Sequence, residues 1–289
     1  MKLHHPSYLL LFLVVSPLVD ALKTPSPVSG ISALNVPRGG GLPSVKPQHM
    51  IKVFCGFYAL NGALSFPAPE SAKDFALIEG TDDYVVFENL GAISLSYASL
   101  VYFLKFKGLS MAVPKMVALS SLPLAYVSYK NMLKGITHKM TGSNLHGPIN
   151  TLFWVSCIYA ILSSKVADPV LLAKVMALPP LAIGTISQFD QELARKIGGF
   201  NAGVVSKKGK SIFVWYAALM AGWGALILMT LQLKLSAMDA IGRAAVLETL
   251  FMVDCIWIRK WNIGVAPDAS NYVFLGIPLL TAVTIFLNK

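Results

Sequence analysis

Charged side chains are scarce in this chain, since only 13% of its 289 residues are Asp, Glu, Lys or Arg. Hydrophobic residues make up 55%, and the mean hydropathy is +0.63. A soluble domain usually carries about 25% charged residues. The deficit extends along the chain, which argues against a soluble globular protein. The composition predicts an integral membrane protein whose main partner is the lipid bilayer.

Cysteine and histidine are also few. The three cysteines, Cys55, Cys157 and Cys255, lie inside apolar segments and have no paired spacing. They are therefore expected to be buried small hydrophobic residues rather than a disulfide framework. The histidines beyond residue 48 show neither metal-ligand spacing nor a nucleophile-base pattern. We predict no catalytic residue, no metal site and no cofactor from these residues.

Acidic residues are outnumbered, and the formal net charge is +10. The basic residues fall mostly between apolar runs, as in membrane proteins that follow the positive-inside rule. The densest group, Lys207, Lys208 and Lys210, lacks interleaved aromatic residues, so nucleic acid is not predicted as a partner. It also lacks phosphate-loop spacing, because five residues instead of four separate Gly203 from Gly209. We interpret these lysines as a topology signal or a contact with anionic lipid.

The first 21 residues are typical of a cleaved secretory signal peptide. A basic start at Lys2 precedes an apolar run over residues 8–15, and Val19, Asp20 and Ala21 form a small-residue cleavage site. The apolar run is shorter than the ~20 residues that span a bilayer. We therefore predict that residues 1–21 are removed.

Residues 22–49 are rich in Ser, Pro and Gly, and contain basic residues but no acid. This composition is typical of a transit peptide. A signal peptide followed by such a segment resembles the bipartite presequences of algae whose plastids lie inside ER-derived membranes. Those presequences usually have an aromatic residue after the cleavage site, where this chain has Leu22. The resemblance implies a plastid membrane. The alternative is a disordered linker behind an ordinary signal peptide, and hence the endomembrane system.

Residues 50–289 form the predicted membrane domain. Eight apolar segments follow one another in it, and the first and fourth are short for a full span. The segments cover residues 51–66, 84–104, 111–129, 149–164, 169–187, 211–232, 239–258 and 271–287. The fold class is therefore all-α, a polytopic transmembrane bundle of seven or eight spans.

Helix-start signals support several of these boundaries. Asp168 followed by Pro169 indicates an N-cap and a first helical residue, and Ser236 with Asp239 indicates a capping box. Two connections, residues 69–80 and 189–199, have the pattern of short helices. We expect them either to lie in the membrane interface or to pack on the protein.

Basic residues in the connections predict the orientation. With eight spans, the connections that follow the odd-numbered segments carry 11 Lys and Arg, and the opposite side carries 6. The connection at 188–210 is therefore expected on the cytosolic or stromal side, and the C-terminus on the other.

Small residues recur four apart in the sixth segment. Ala218 and Gly222 form one such pair, and Ala221 and Ala225 another. This spacing lets helices approach closely. We interpret the Ala218, Gly222 and Ala225 face as a helix-packing surface, within the chain or in a homo- or hetero-oligomer.

Two prolines, Pro179 and Pro180, lie near the middle of the fifth segment. Proline removes a backbone donor and disturbs the carbonyl four residues earlier, here those of Val175 and Met176. Interrupted helices often form binding sites in transporters, but proline is also common in ordinary transmembrane helices. The pair is thus a candidate site element.

The seventh segment contains three ionisable residues, Arg243, Glu248 and Asp254. Arg243 lies near one end, where a long side chain can reach the interface. Asp254 lies near the other end, close in sequence to Arg259 and Lys260. Both positions have a simple explanation, and both residues are also candidates for a substrate or proton site together with Glu248.

Glu248 has no such explanation, because it lies near the centre of the segment. A central acid costs several kcal/mol unless it is paired, protonated or hydrated. It should face the interior of the bundle, and Lys174 and Lys115 are candidate ion-pair partners. Such a group is either half of a structural ion pair or a proton or solute site.

Two functions follow from these residues. The leading hypothesis is a small-solute or ion transporter with Glu248 at its centre and the proline pair nearby. The alternative is a non-catalytic accessory or assembly subunit of an organellar membrane complex. A membrane enzyme ranks third, because no catalytic set is visible.

Overall fold

The structure is a computed structural model that describes residues 45–66, 81–107, 113–133, 146–163, 167–187, 189–190, 193, 207–231, 235–260 and 269–288. The predicted signal peptide and nearly all of the transit-like segment lie outside these residues. So do the first connecting helix and most of the second. These features stay predictions.

The described residues fold into α-helices with two short π-helical turns and contain no strand, which confirms the all-α class. Each of the eight predicted apolar segments lies on one of the helices. In chain order they are α1 (Pro47–Ser65), α2 (Thr81–Tyr102), α3 (Val113–Leu133), α4 (His146–Leu162), α5 (Pro169–Ile186), α6 (Lys207–Leu231), α7 (Ala237–Val253) and α8 (Ala269–Leu287). The π-helical turns follow α2 at Phe103–Lys107 and α7 at Asp254–Ile258.

Two predicted helix starts are confirmed. At the start of α5, Asp168 Oδ1 accepts a hydrogen bond of 2.9 Å from the backbone N–H of Leu171. At the start of α7, Ser236 Oγ accepts one of 3.1 Å from the N–H of Asp239. The first N–H groups of a helix have no partner within it, and these side chains provide one.

Two helical stretches within the described residues are long and apolar enough to cross a membrane, Val85–Phe106 and Ile212–Thr230. That is fewer than the seven or eight spans predicted. Three other helices contribute shorter apolar runs, Thr151–Leu162, Lys174–Ile186 and Asn271–Leu287. The two long stretches are also the central ones, because most of each is buried inside the protein.

The helices pack as two five-membered rings that share α2 and α6. The first ring runs through α1, α2, α6, α7 and α8, and the second through α2, α3, α4, α5 and α6. In the first ring, Trp215 Nε1 of α6 donates a hydrogen bond of 2.9 Å to Asn271 Oδ1 of α8. The shared helices therefore form a common wall, and any site inside one ring is separated by that wall from the other.

Small residues set the close approach of α5 to α6. A Cβ atom built on Gly184 would lie 2.5 Å from Ala221 Cβ. Ala221, a member of the second predicted small-residue pair, therefore lies at the contact with α5. Ala218, Gly222 and Ala225 are also buried within the chain, with Gly222 on the side of α6 that faces away from α5. The chain's own helices thus cover these three residues. An oligomer of the chain stays a prediction.

The proline pair does not divide its helix. α5 runs as one element from Pro169 to Ile186 through Pro179 and Pro180. A Cβ atom on Gly224 would lie 3.0 Å from the carbonyl oxygen of Ala177, so α6 packs on α5 before the pair as well as after it, at Gly184. The helix therefore continues through both prolines, and the predicted break is not present.

The outer surface is rich in exposed apolar side chains. They lie mainly on α1, α4 and α8. They include Val53, Leu60, Leu64, Leu152, Val155, Ile158, Leu162, Leu279, Leu280, Val283, Phe286 and Leu287. Extended apolar exteriors mark contact with a membrane or another protein.

Candidate functional site

Glu248 lies in the second half of α7 and faces the interior of the first ring. It has 0% solvent exposure, and Leu247 and Phe251 beside it are also buried. The opposite side of α7 carries Arg243, which is exposed, and Val246, which is half-buried. The acid at the centre of α7 therefore faces the inside of the bundle, whereas the basic residue Arg243 lies on the exposed side of the helix.

Tyr58 of α1 is the hydrogen-bond partner of this acid. Its hydroxyl donates a short hydrogen bond to Glu248 Oε1, and the tyrosine is itself 0% exposed. The second carboxyl oxygen, Glu248 Oε2, is buried and has no hydrogen-bond partner in the described part of the chain. Buried polar atoms are nearly always paired, so an orphan oxygen at this depth needs an explanation.

Tyr97 of α2 contributes a second orphan group. Its hydroxyl is buried and lacks a partner among the described residues. A Cβ atom on Gly222 of α6 would lie 3.0 Å from Tyr97 Oη and 3.4 Å from Glu248 Cβ. Gly222 therefore lies between the two polar residues. We call Glu248, Tyr58, Tyr97 and Gly222 the Glu248 site.

Aromatic rings surround the Glu248 site. The centroid of the Phe54 ring lies 4.6 Å from that of Tyr58 and 5.1 Å from that of Tyr97. Phe274 of α8 lies 6.2 Å from Tyr58, measured between ring centroids, and stacks on Trp215 at 4.5 Å. Four of the five helices of the first ring thus contribute apolar or aromatic surface, and a charge placed here would be poorly solvated.

The lysines proposed as partners are not at this site. Lys174 lies on α5 and Lys115 on α3, both in the second ring, and neither forms an ion pair with Glu248. The shared wall of α2 and α6 separates these helices from α7. The partner of Glu248 is a neutral hydroxyl, so the ion-pair prediction is wrong.

The other two ionisable residues of the segment have separate surroundings. Asp254 Oδ2 lies 2.8 Å from Arg259 Nε, and the N–H of Arg259 bonds to the carbonyl of Asp254 across the π-helical turn. Arg243 is exposed. Neither residue belongs to the Glu248 site, where each had been a candidate.

Pro179 and Pro180 are also remote from Glu248, because α6 stands between them. Gly222 of α6 faces Glu248, whereas Gly224 contacts Ala177 and Leu181 of α5. Residues two apart on an α-helix point about 200° apart, so these two glycines face opposite sides of α6. The proline pair therefore lines the second ring.

A second buried acid was not anticipated from the sequence. Glu88 of α2 has 6% exposure and forms an ion pair with Lys130 of α3. The lysine side chain keeps a quarter of its surface exposed, so its charge stays near water. This pair joins two neighbouring helices and has no orphan carboxyl oxygen in the described residues, which distinguishes it from the Glu248 site.

Tyr58 and Tyr97 were also missed. A signal was available, because a tyrosine in the middle of an apolar helix must find a partner for its hydroxyl. The segment that contains Tyr58 is short for a full membrane span, so the sequence does not place it in the bundle. The described residues contain no group of three or more His, Cys, Asp or Glu side chains that could hold a metal ion.

No protein-family model, curated protein or solved structure matches this chain.

Proposed function

We propose that the chain is a polytopic integral membrane protein whose eight helices cross the bilayer. Three observations support this proposal. The composition has a large deficit of charge, two central helices are long and apolar enough to span, and the outer helices expose apolar side chains that lipid would cover. The predicted leader would deliver it to a plastid membrane or the endomembrane system.

Tagging tests the eight-span topology. A tag inserted between residues 194 and 206 and a tag after Lys289 should lie on opposite sides of the membrane. The physical reason is that three crossings, α6, α7 and α8, separate them. Protease protection of isolated membranes reads the side of each tag. A control tag within residues 134–145 should lie on the same side as the first, and two main tags on one side would contradict the eight-span count.

Within that membrane protein we propose a transporter of a small solute or ion, with Glu248 as the group that binds a proton or the solute. The observation that carries the proposal is the pair of orphan polar groups, Glu248 Oε2 and Tyr97 Oη, beside Gly222 inside the first ring. Unsatisfied buried groups cost free energy, and a binding site explains why they are kept.

The surroundings favour a proton as one occupant of the site. Glu248 receives a single hydrogen bond from Tyr58 and forms no ion pair with any described residue. An ionised carboxylate in such a place would be several kcal/mol less stable than the neutral acid. We therefore take the protonated acid as the resting form. Its complete enclosure corresponds to a closed state, and transport requires the first ring to open to each side in turn.

A second candidate function is an accessory or assembly subunit. One observation favours it, namely that both residues of the Glu248–Tyr58 hydrogen bond are fully buried, as in a purely structural contact. Such a subunit would bind its complex through the exposed apolar surface of α4 or α8, because the small-residue face is already covered.

Reconstitution separates the two functions. Proteoliposomes with an entrapped pH-sensitive dye should show internal pH changes when a solute gradient is imposed. The panel comprises potassium, chloride, acetate, glycine, glucose and methylammonium, and the signal of protein-free liposomes is subtracted for each. A transporter coupled to protons should respond to at least one class of solute. No response to any of them, from protein that is folded by its thermal unfolding, would overturn the transporter proposal and favour the subunit.

A further inference from the structure

We propose that the Glu248 site binds a protonated amine, so that the solute carries a primary ammonium group on a small apolar body. This inference rests on the proposed transport function and names its substrate class. It follows from the kinds of atoms that lack partners in the site and from the groups that surround them.

The vacant positions in the site are suited to hydrogen-bond donors. Among the described residues, Glu248 Oε2 and Tyr97 Oη are buried oxygens without hydrogen-bond partners, and they come from α7 and α2, on two sides of Gly222. Both can accept a hydrogen bond, and the Tyr97 hydroxyl can also donate one. A primary ammonium has three N–H donors and no acceptor. It could donate to both oxygens at once, while Tyr58 holds the other carboxyl oxygen in place.

Gly222 lets α6 come close to both polar residues. A single Cβ atom there would already lie 3.0 Å from Tyr97 Oη. The closed ring is therefore tightly packed at this position, and the ammonium group would reach the two oxygens only when the first ring opens. Phe54 and Phe274 continue the lining with aromatic surface, which suits an apolar body and attracts a cation.

Other occupants fit this site less well. A hard cation such as Ca²⁺ or Mg²⁺ takes about six or more oxygen ligands, more than the Glu248 site supplies. An anion could accept a hydrogen bond from the Tyr97 hydroxyl, but it would lie against the Glu248 carboxyl without a compensating cation. A quaternary ammonium has no N–H, so it would leave both orphan oxygens unpaired.

Amine and proton should exclude each other. When the site opens, the ammonium displaces the Glu248 proton, which passes to the water on the open side, and a carboxylate–ammonium pair remains. The site is electrically neutral before and after this exchange. That neutrality explains how a buried acid is tolerated without a fixed counter-charge.

The remaining titratable groups near Glu248 do not replace it in this exchange. Tyr58 and Tyr97 face it from α1 and α2, and Cys55 lies beside Tyr97. From α6 and α8 the neighbours are Gly222 and Phe274, neither of which titrates. Lys105, in the π-helical turn that touches α7, forms no ion pair with Glu248.

Binding to the full chain in detergent tests the inference without relying on amine permeation through lipid. The probes are n-butylammonium, tetramethylammonium and 1-butanol, titrated calorimetrically in weak buffer between pH 5 and 8. We expect n-butylammonium to bind with release of about one proton, and its affinity to rise about tenfold per pH unit while the empty site is protonated. Glu248→Gln should abolish proton release and weaken binding at least about tenfold.

A specificity variant makes the test sharper. Tyr97→Phe removes one of the two vacant acceptors and should weaken n-butylammonium binding several-fold, while Tyr126→Phe on the exposed surface of α3 should leave it unchanged. Equal binding of tetramethylammonium would overturn the role of the N–H donors. Equal binding of 1-butanol would overturn the charge requirement.

The inference and the proposed function can fail separately. If acetate or glucose drives proton movement in proteoliposomes and no amine binds, the transporter stands and the amine inference is wrong. If no solute of the panel moves protons and no probe binds, both are wrong.

Discussion

Glu248→Gln should yield a protein that unfolds at nearly the wild-type temperature and yet moves no protons in response to any solute. The change removes a titratable group and keeps the shape of the side chain. The amide oxygen of glutamine can still accept the hydrogen bond from Tyr58. Because a neutral amide replaces an acid that is neutral in its proposed resting form, we expect the melting temperature to stay within about 2 °C of wild type.

The expected loss of flux is large, because a proton-coupled cycle through Glu248 has no substitute group. Asp254 is engaged with Arg259, and Glu88 lies on the second-ring side of α2 with Lys130. Solute-driven pH changes in Glu248→Gln proteoliposomes should therefore fall to the level of protein-free liposomes. The measurement compares equal amounts of purified, folded protein at several pH values.

Glu88→Gln is the matched control, since it makes the same chemical change at the other buried acid. It leaves Lys130 without its partner, but the lysine is a quarter exposed and can reach water. We expect a loss of about 1–2 kcal/mol of stability, or about 3–6 °C in melting temperature, with flux per folded molecule retained. Glu248→Gln should thus lose flux and keep its stability, whereas Glu88→Gln should lose stability and keep its flux per folded molecule.

A stable Glu248→Gln protein with wild-type flux at every pH would contradict the functional role of Glu248. The residue would then be a scaffold acid that holds α7 to α1. A destabilised variant whose flux falls only in proportion to folded protein would lead to the same conclusion. In both cases the accessory-subunit function would become the leading one if wild-type flux were also absent.

The helices of this fold could be predicted from the sequence, because each is an apolar run bounded by polar residues. The clearest boundaries were those with a chemical cap, at Asp168 and Ser236, where a side-chain oxygen replaces a missing helical partner. The presence of the helices, and the first residues of α5 and α7, depend on local chemistry. They can therefore be predicted without knowing which helices pack against each other.

Which helices pack against each other could not be predicted from the sequence. The wrong predictions about the site come from this missing information. Glu248 was expected to be buried and paired, but the choice of lysine as partner assumed that α7 packs on α3 or α5. The structure instead brings α1 to α7, so that the partner is the hydroxyl of Tyr58. A tyrosine hydroxyl can donate a hydrogen bond to a neutral carboxyl group. A search that considers only residues of opposite charge does not find such a partner.

The proline pair shows the same limit. Pro179 and Pro180 were expected to interrupt a helix close to Glu248. Local chemistry correctly identifies the missing N–H groups, but it does not show that α5 continues through both prolines or that α6 packs against Ala177 and Gly184. The separation of the pair from Glu248 depends on α6 standing between the two rings, which no local pattern encodes.

Gly184→Ala should be among the most destabilising single-methyl additions in the described part of the chain. A Cβ atom there would lie 2.5 Å from Ala221 Cβ and 2.8 Å from both the carbonyl oxygen of Ala217 and the N–H nitrogen of Ala221. Two of these three atoms are backbone, so relief requires α6 to move as a whole. We expect a loss of about 2–3 kcal/mol, or about 5–10 °C in melting temperature, measured by thermal unfolding in detergent.

The effect should exceed the ordinary benefit of replacing glycine within a helix. Alanine is favoured over glycine in a helix by about 0.5–1 kcal/mol. Gly276→Ala on α8 is the matched control, because nothing lies within 4 Å of a Cβ atom at that position. It should raise the melting temperature by about 1–3 °C. A Gly184→Ala protein as stable as the Gly276→Ala protein would contradict the close contact of α5 with α6.

Ala221→Gly in the Gly184→Ala background should restore only part of the lost stability. The second change removes the nearest atom, Ala221 Cβ, but leaves the backbone atoms of Ala217 and Ala221 at 2.8 Å. Full recovery would mean that side chains alone limit the approach of the two helices. Partial recovery would mean that the backbone of α6 sets the limit. Because α6 belongs to both rings, a displacement of α6 should also shift Gly222 at the Glu248 site. We therefore expect flux to fall together with stability only in those variants in which α6 has to move.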